Sequence, residues 1–149
     1  MIPKFRVWQI DEKKMYPVQL IRTNSDGSLT VNATDNSDDW NPIQVSGKWK
    51  AGKLMLYAPL YDKNNKQLCE GDIVQQFSDD DPYFRYVVLF EGGAFGYQPH
   101  GEDYNFISYV ENKQFDWIEG TAQSNKIEII GNAYENPERI VTKNPQKRP

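Results

Sequence analysis

The chain has 149 residues, a formal net charge of −4 and a mean hydropathy of −0.76, with 13% aromatic residues and a single cysteine, Cys69. That length suits one domain or two small ones and can bury a core without staples, the aromatic content excludes a disordered chain, and one cysteine excludes an internal disulfide. Residues 139–149 hold four basic side chains and no acidic one, so residues 1–138 carry −8 and make a poor ligand for phosphates.

In chain order, Phe5 and Val7 alternate with Arg6 and Trp8, a period of two that predicts a strand within residues 2–10. Strands are expected at 15–21 and 29–31, joined through Asp26-Gly27, a strong hairpin signal. The polar stretch 32–41 reads as a loop. Short strands follow at 40–45 and 54–58, the second running on into Leu60. Asp62-Lys63-Asn64-Asn65-Lys66 is turn chemistry, and Glu70-Gly71-Asp72 leads into a strand from Ile73 to Phe77. Ser78 to Pro82 is a solvated loop. Tyr83 to Phe90, β-branched and aromatic, predicts one long strand, with Glu91-Gly92-Gly93 turning it back into Ala94–Tyr97. Residues 99–103 form another loop, and residues 105–117 fit either a strand or a helical turn. Lys126 to Ile130 is a strand, Gly131-Asn132 kinks the chain, and Asn136-Pro137 starts a short helix with Asn136 as its N-cap.

This pattern predicts an all-β protein with little helix. A soft division near residue 52 separates an N-terminal β region (1–51) from a small SH3-like barrel core (52–138) and a basic tail (139–149). Gly71, Gly93, Gly96 and Gly131 set turns or kinks, while Ile73, Val74, Val88, Phe90, Phe95 and Ile130 fill the core. Asp62 and Asn64 bond the backbone of their own turn.

The residues that could carry chemistry favour plain readings. His100 is the only histidine and has no partner at metal-ligand or triad spacing. Cys69 lies among acidic neighbours that would raise its pKa, so it is a small inert side chain. Asp79-Asp80-Asp81, like Asp35, Asp38 and Asp39, lacks the spaced ligands of a calcium loop. Glu91 to Gly96 has strand patterns on both sides, not the following helix that a phosphate cradle requires. No metal or cofactor is expected, and no membrane span: apolar runs are a few residues long and no charged-then-apolar leader opens the chain. The surplus aromatics, Trp8, Trp40, Tyr61 and Trp117 foremost, suit a subunit interface better than a stacking surface, because the acidic body lacks accompanying Lys and Arg.

Four segments taken in order resemble the YopX-like family. They are Ile2-Pro3-Lys4-Phe5-Arg6-Val7-Trp8, with Lys13-Lys14-Met15 after it; Asp62-Lys63-Asn64 through Glu70-Gly71-Asp72-Ile73-Val74; Phe90-Glu91 with Gly93-Ala94-Phe95-Gly96; and Ile129-Ile130-Gly131-Asn132-Ala133-Tyr134-Glu135-Asn136-Pro137. Ala58-Pro59-Leu60-Tyr61 departs from the Thr-Gly-Leu that the family more often shows there. The resemblance implies a mostly β, barrel-like homo-oligomer encoded by a bacteriophage or prophage and residing in the host cytoplasm. It carries over no catalytic residue, and the motif residues Asp62, Asn64, Gly71, Asp72, Gly93, Phe95, Gly96, Gly131 and Asn132 are then fold-specifying.

The functional expectation is a non-enzymatic accessory protein that binds a host or phage protein through an acidic surface. One alternative is a nucleic-acid module using Arg139, Lys143, Lys147 and Arg148. Another is an enzyme acting through carboxylates such as Glu70, Asp72 and Glu91, which requires one of them buried in a cleft with a raised pKa.

Overall fold

The computed structural model describes residues 3–33, 41–76, 84–98, 107–109, 116–118 and 121–140. The expected loops at 78–82 and 99–103, His100 within the second, Asp35 to Trp40, and the tail from residue 141 lie outside the described residues. The chain is all-β: the described elements comprise fourteen strands and a 3₁₀ turn at Pro137–Arg139. It divides into two compact units, residues 2–57 and residues 58–149.

The first unit is an antiparallel sheet of β1 (Phe5–Gln9), β2 (Lys14–Thr23), β3 (Leu29–Ala33), β4 (Asn41–Gln44) and the first part of β5 (Gly52–Tyr61). Its order is β5-β1-β2-β3-β4, with Val7 opposite Tyr16 on one side and Leu54 on the other. Alternation sends Val7, Tyr16, Val31, Ala33, Ile43 and Val45 into one apolar cluster. β3 runs two residues into the stretch expected to be a loop, because Asn32 and Ala33 pair with Pro42 and Asn41 of β4. The Asp26-Gly27 hairpin closes through Asn24 N–H to Ser28 O (2.8 Å) and Gly27 N–H to Asn24 O (2.9 Å).

The second unit contains the rest of β5 with β6 (Gln67–Cys69), β7 (Asp72–Gln76), β8 (Phe84–Val87), β9 (Leu89–Glu91), β10 (Ala94–Tyr97), β11 (Ile107–Ser108), β12 (Asp116–Ile118), β13 (Thr121–Gln123) and β14 (Ile127–Asn132). β14, β7 and β8 form one sheet in that order, and β11, β10 and β9 another. β13 lies parallel to β5 at Leu60 and Tyr61, with β12 antiparallel on its far side. Among the described residues no sheet closes on itself, so in place of the expected barrel they form open sheets. Its strands share one core of Ala58, Leu60, Leu68, Val74, Tyr86, Val88, Tyr97, Tyr109, Ala122 and Ile127.

The expected strand from Tyr83 to Phe90 is two strands. Val88, fully buried, leaves the ladder to donate its N–H to Asp72 O and accept from Gly71 N–H, each at 2.8 Å. β8 therefore pairs with β7, and β9 pairs with β10 in a different sheet. An uninterrupted strand would place Phe90 on the face of Val88; the break turns it outward instead. Phe90 is 39% exposed and packs its ring against Phe95, centroids 4.6 Å apart, so it is not a core residue. Ile130 is also only half-buried, because it is the extra residue of a bulge between Ile129 and Gly131. The β9–β10 hairpin has Gly92 and Gly93 at φ +60° and +81°, the two left-handed residues that a two-residue turn of this hand requires.

Gly52 sits at a close approach. A Cβ there would lie 2.6 Å from Ile43 Cγ2, 3.0 Å from Val7 Cγ2 and 3.1 Å from the Trp8 carbonyl oxygen. Two of those neighbours are core side chains and one is backbone, so none moves freely. We expect Gly52→Ala to destabilise the protein by about 1–3 kcal/mol, read as a lower urea midpoint at unchanged slope.

Candidate functional site

Two of the sequence motifs of the second unit, residues 62–74 and 129–137, meet through polar groups at three corners. The Asp62 side chain is fully buried, and its carboxylate accepts three backbone amides: Oδ1 from Asn64 and Lys66, Oδ2 from Ile129, each at 2.9 Å. Two of these bonds close the turn between β5 and β6; the third holds β14. A further backbone bond, Lys63 N–H to Ile127 O at 3.0 Å, fastens the same turn to the same strand. Asn64 behaves differently from expectation. Its side chain is exposed and reaches across to Glu128 Oε1 at 3.5 Å instead of bonding its own turn.

The second corner is Glu70-Gly71-Asp72. Gly71 is left-handed at φ +89°, and the buried Asp72 accepts the Cys69 amide on Oδ2 at 2.7 Å. Gly71 O accepts Ala133 N–H at 2.8 Å, which joins this corner to the third. In the third corner Asn132 Oδ1 accepts Tyr134 and Glu135 N–H at 3.1 and 2.9 Å, and Nδ2 donates to Glu135 Oε1 at 2.8 Å. Asn136 does not cap the 3₁₀ turn with its side chain; it faces back and accepts Asn132 N–H at 3.3 Å. That back-turned amide explains Gly131, at φ +152°, where a Cβ would stand 2.6 Å from Asn136 Oδ1.

The remaining singled-out residues are dispersed. Gly93 lies in the hairpin turn. Phe95 packs against the edge of the second core, and Gly96 is buried between Leu89 and Ser108. Trp8 and Tyr61 are half-buried, on β1 and β5. Trp40 lies outside the described residues, and of Trp117 only the backbone is described, opposite Ala122. Glu91 is exposed beside its turn and Glu70 is half-buried. Among the described residues no three acidic, histidine or cysteine side chains gather as metal ligands, and no helix is long and apolar enough to cross a membrane.

Two features had no sequence signal. The first is a tyrosine cluster in the second core. Tyr86 stacks on Tyr97 with centroids 4.1 Å apart, and Tyr109 tilts against both at 6.3 and 5.7 Å. Tyr86 and Tyr109 are about 1% exposed, and burial pushes both phenols well above their ordinary pKa. The second is a polar hollow of about 520 Å³ in the first unit, with the 77% exposed Trp49 on its wall. A smaller one of about 380 Å³ lies by Tyr61, Asp116 and Gln123 in the second unit.

The YopX protein family model matches residues 4–141, nearly the whole chain, and takes in the motifs of the second unit and all but Ile2 and Pro3 of the first segment. The chain belongs to the YopX family. The solved structure of yopX from Bacillus subtilis is similar to this family member over 93% of the present chain and 98% of its own, with 25% identity and a TM-score of 0.59. Protein EF1440 from Enterococcus faecalis is similar over 95% of the present chain and 99% of its own, with 18% identity and a TM-score of 0.57, a likeness of fold. A comparison with curated proteins finds no match.

Asp62→Asn would set a side-chain NH₂ or a weaker neutral acceptor against the Ile129 amide. We expect a loss of about 2–4 kcal/mol in urea unfolding, against about 0.5 kcal/mol or less for the exposed Asn64→Ala. Alkali gives a second expectation. Folded Tyr86 and Tyr109 keep their protons above pH 10, the ordinary phenol value, while the unfolded chain releases them there. Their contribution is therefore complete below pH 10 and falls as pH rises beyond it. Phenolate absorbance should show these two hydroxyls ionising only with unfolding, and Tyr86→Phe should flatten the alkaline loss of stability.

Proposed function

We propose that this protein is a non-enzymatic accessory protein of a bacteriophage or prophage, which binds a protein of the host through the acidic surface of its second unit. The observation that carries this reading is the partition of charge. Residues 58–138 hold fifteen acidic and five basic side chains, a net of −10, whereas residues 2–57 hold six acidic and eight basic, a net of +2. With the basic tail at 139–149 included, the second unit, residues 58–149, nets −6 against +2 for the first. Asp62 and Asp72 are buried and occupied by backbone amides, while Glu91, Asp116, Glu135 and Glu138 are exposed. A dense negative field of this kind steers a basic partner toward it and suppresses acidic ones. A host protein with a nucleic-acid-binding groove offers the complementary surface.

The test is capture from bacterial lysate on the immobilised protein. A partner held this way should be retained at low salt and released as salt shortens the screening length below about 10 Å. Duplex DNA should compete for it, and the triple variant Glu91→Lys, Asp116→Lys, Glu135→Lys should capture little. An empty column at low salt, or undiminished capture by the charge-reversed variant, overturns the proposal.

A further inference from the structure

The hollow in the first unit has the composition of a saccharide site. Its rim is formed by the β2–β3 hairpin, by Gln44 at the end of β4, and by Lys48 and Trp49 in the turn that follows. It presents hydroxyl, amide and carboxylate groups beside one indole and no aliphatic side chain. At about 520 Å³ it falls within the range of small-ligand pockets, roughly 300–1,000 Å³.

The polar groups are held in place before any ligand arrives. Asn24 Nδ2 donates to Ser28 Oγ at 3.0 Å and to Thr30 Oγ1 at 2.9 Å. Thr30 Oγ1 donates to Gln44 Oε1 at 2.7 Å, and Gln44 Nε2 donates to Ser46 O at 2.8 Å. This relay ties Asn24 and Ser28 of the β2–β3 turn to Thr30 on β3 and Gln44 at the end of β4, so the turn is fastened to the sheet. Both Asn24 donors are used inside the relay, which leaves its carbonyl oxygen as the group a ligand can address. Gln44 retains a second N–H, a donor on the same wall. Asp26 Oδ1 takes the Ser28 amide and hydroxyl at 2.9 and 2.6 Å, and the exposed side chain keeps Oδ2 as an acceptor. The Ser28 bonds also hold the Asp26 carboxyl below its ordinary pKa, so it accepts over a wide pH range.

Trp49 supplies what hydrogen bonds alone do not. An indole 77% exposed gains little for folding, and its flat face suits the axial C–H face of a pyranose. Lys48 Nζ lies 5.4 Å from the ring centre, and with Asp26 it makes the hollow near neutral. Near-neutrality separates this site from one built for a nucleotide, where phosphate would meet the Asp26 carboxylate. We propose that this hollow binds a neutral saccharide, with a pyranose ring stacked on Trp49 and its hydroxyls bonded by Asn24, Asp26 and Gln44. The site is formed by first-unit residues alone and shares none with the acidic surface proposed above.

Saturation-transfer NMR on the full chain tests it, with maltotetraose, cellotetraose and chitotetraose as probes at millimolar concentration. At least one should receive saturation at its ring C–H protons. Trp49→Ala should weaken that binding about tenfold or more while Trp49→Tyr restores part of it, the pattern of ring stacking. Asp26→Ala should weaken binding too. Because Trp49 is exposed, its variants should melt at the parent temperature, which separates lost binding from lost folding. Silence from all three sugars, equal binding by Trp49→Ala, or preference of the hollow for an oligothymidylate over every sugar each overturns the proposal.

Discussion

The second unit depends on one buried carboxylate. Asp62 lies at the end of β5 with no exposed surface, a placement that a charged group tolerates only when its oxygens are fully engaged. It meets that condition with backbone amides alone, two from its own turn and one from β14. Bonds to a charged acceptor are about twice as strong as neutral ones. They also fix main chain and not side chain, so the geometry of the turn and the position of β14 are set together. The Gly71 corner then adds Val88 and Ala133 by backbone bonds, and Asn132 and Asn136 tie off the end of β14.

This network gives the polar and glycine-rich residues of these motifs a structural role. The open sheets of the second unit present strand ends at corners where ladder bonding stops. Each corner is completed by an Asp or Asn side chain that imitates a backbone acceptor, or by a glycine where a Cβ has no room or the chain turns left-handed. Close spacing of Asp62, Glu70 and Asp72 in the sequence therefore reflects adjacent corners of the fold, where Asp62 and Asp72 accept backbone amides.

Much of this was legible in the sequence. Alternation at Phe5–Trp8, the Asp26-Gly27 turn and the Gly92-Gly93 turn each follow from a local rule, and local rules operate on neighbouring residues. What stayed hidden depends on distant partners. The break at Val88 has no turn residue to announce it, since it arises from bonds to Gly71 and Asp72. Phe90 follows the core pattern and is turned out by that break. Tyr86, Tyr97 and Tyr109 lie on three separate segments, so no periodicity links them. Likewise the Trp49 hollow draws on residues 24 to 49 of two strands and two turns, and the total charge of −4 conceals two units of opposite sign.

The reach of Asp62 also bears on how the chain is made. Its third amide comes from Ile129, 67 residues further on, whereas the core of the first unit draws only on residues 7 to 45 and the strands around them. During synthesis the first unit has all its strands once β5 has emerged. The second unit has its corner residues early but cannot complete the Asp62 cradle until β14 leaves the ribosome. Bringing Ile129 back to Asp62 is a contact across 67 residues, of the non-local kind that forms slowly. Without Ile129, Asp62 Oδ2 lacks the amide that completes its cradle, so β14, the last of the described strands, closes the fold of the second unit.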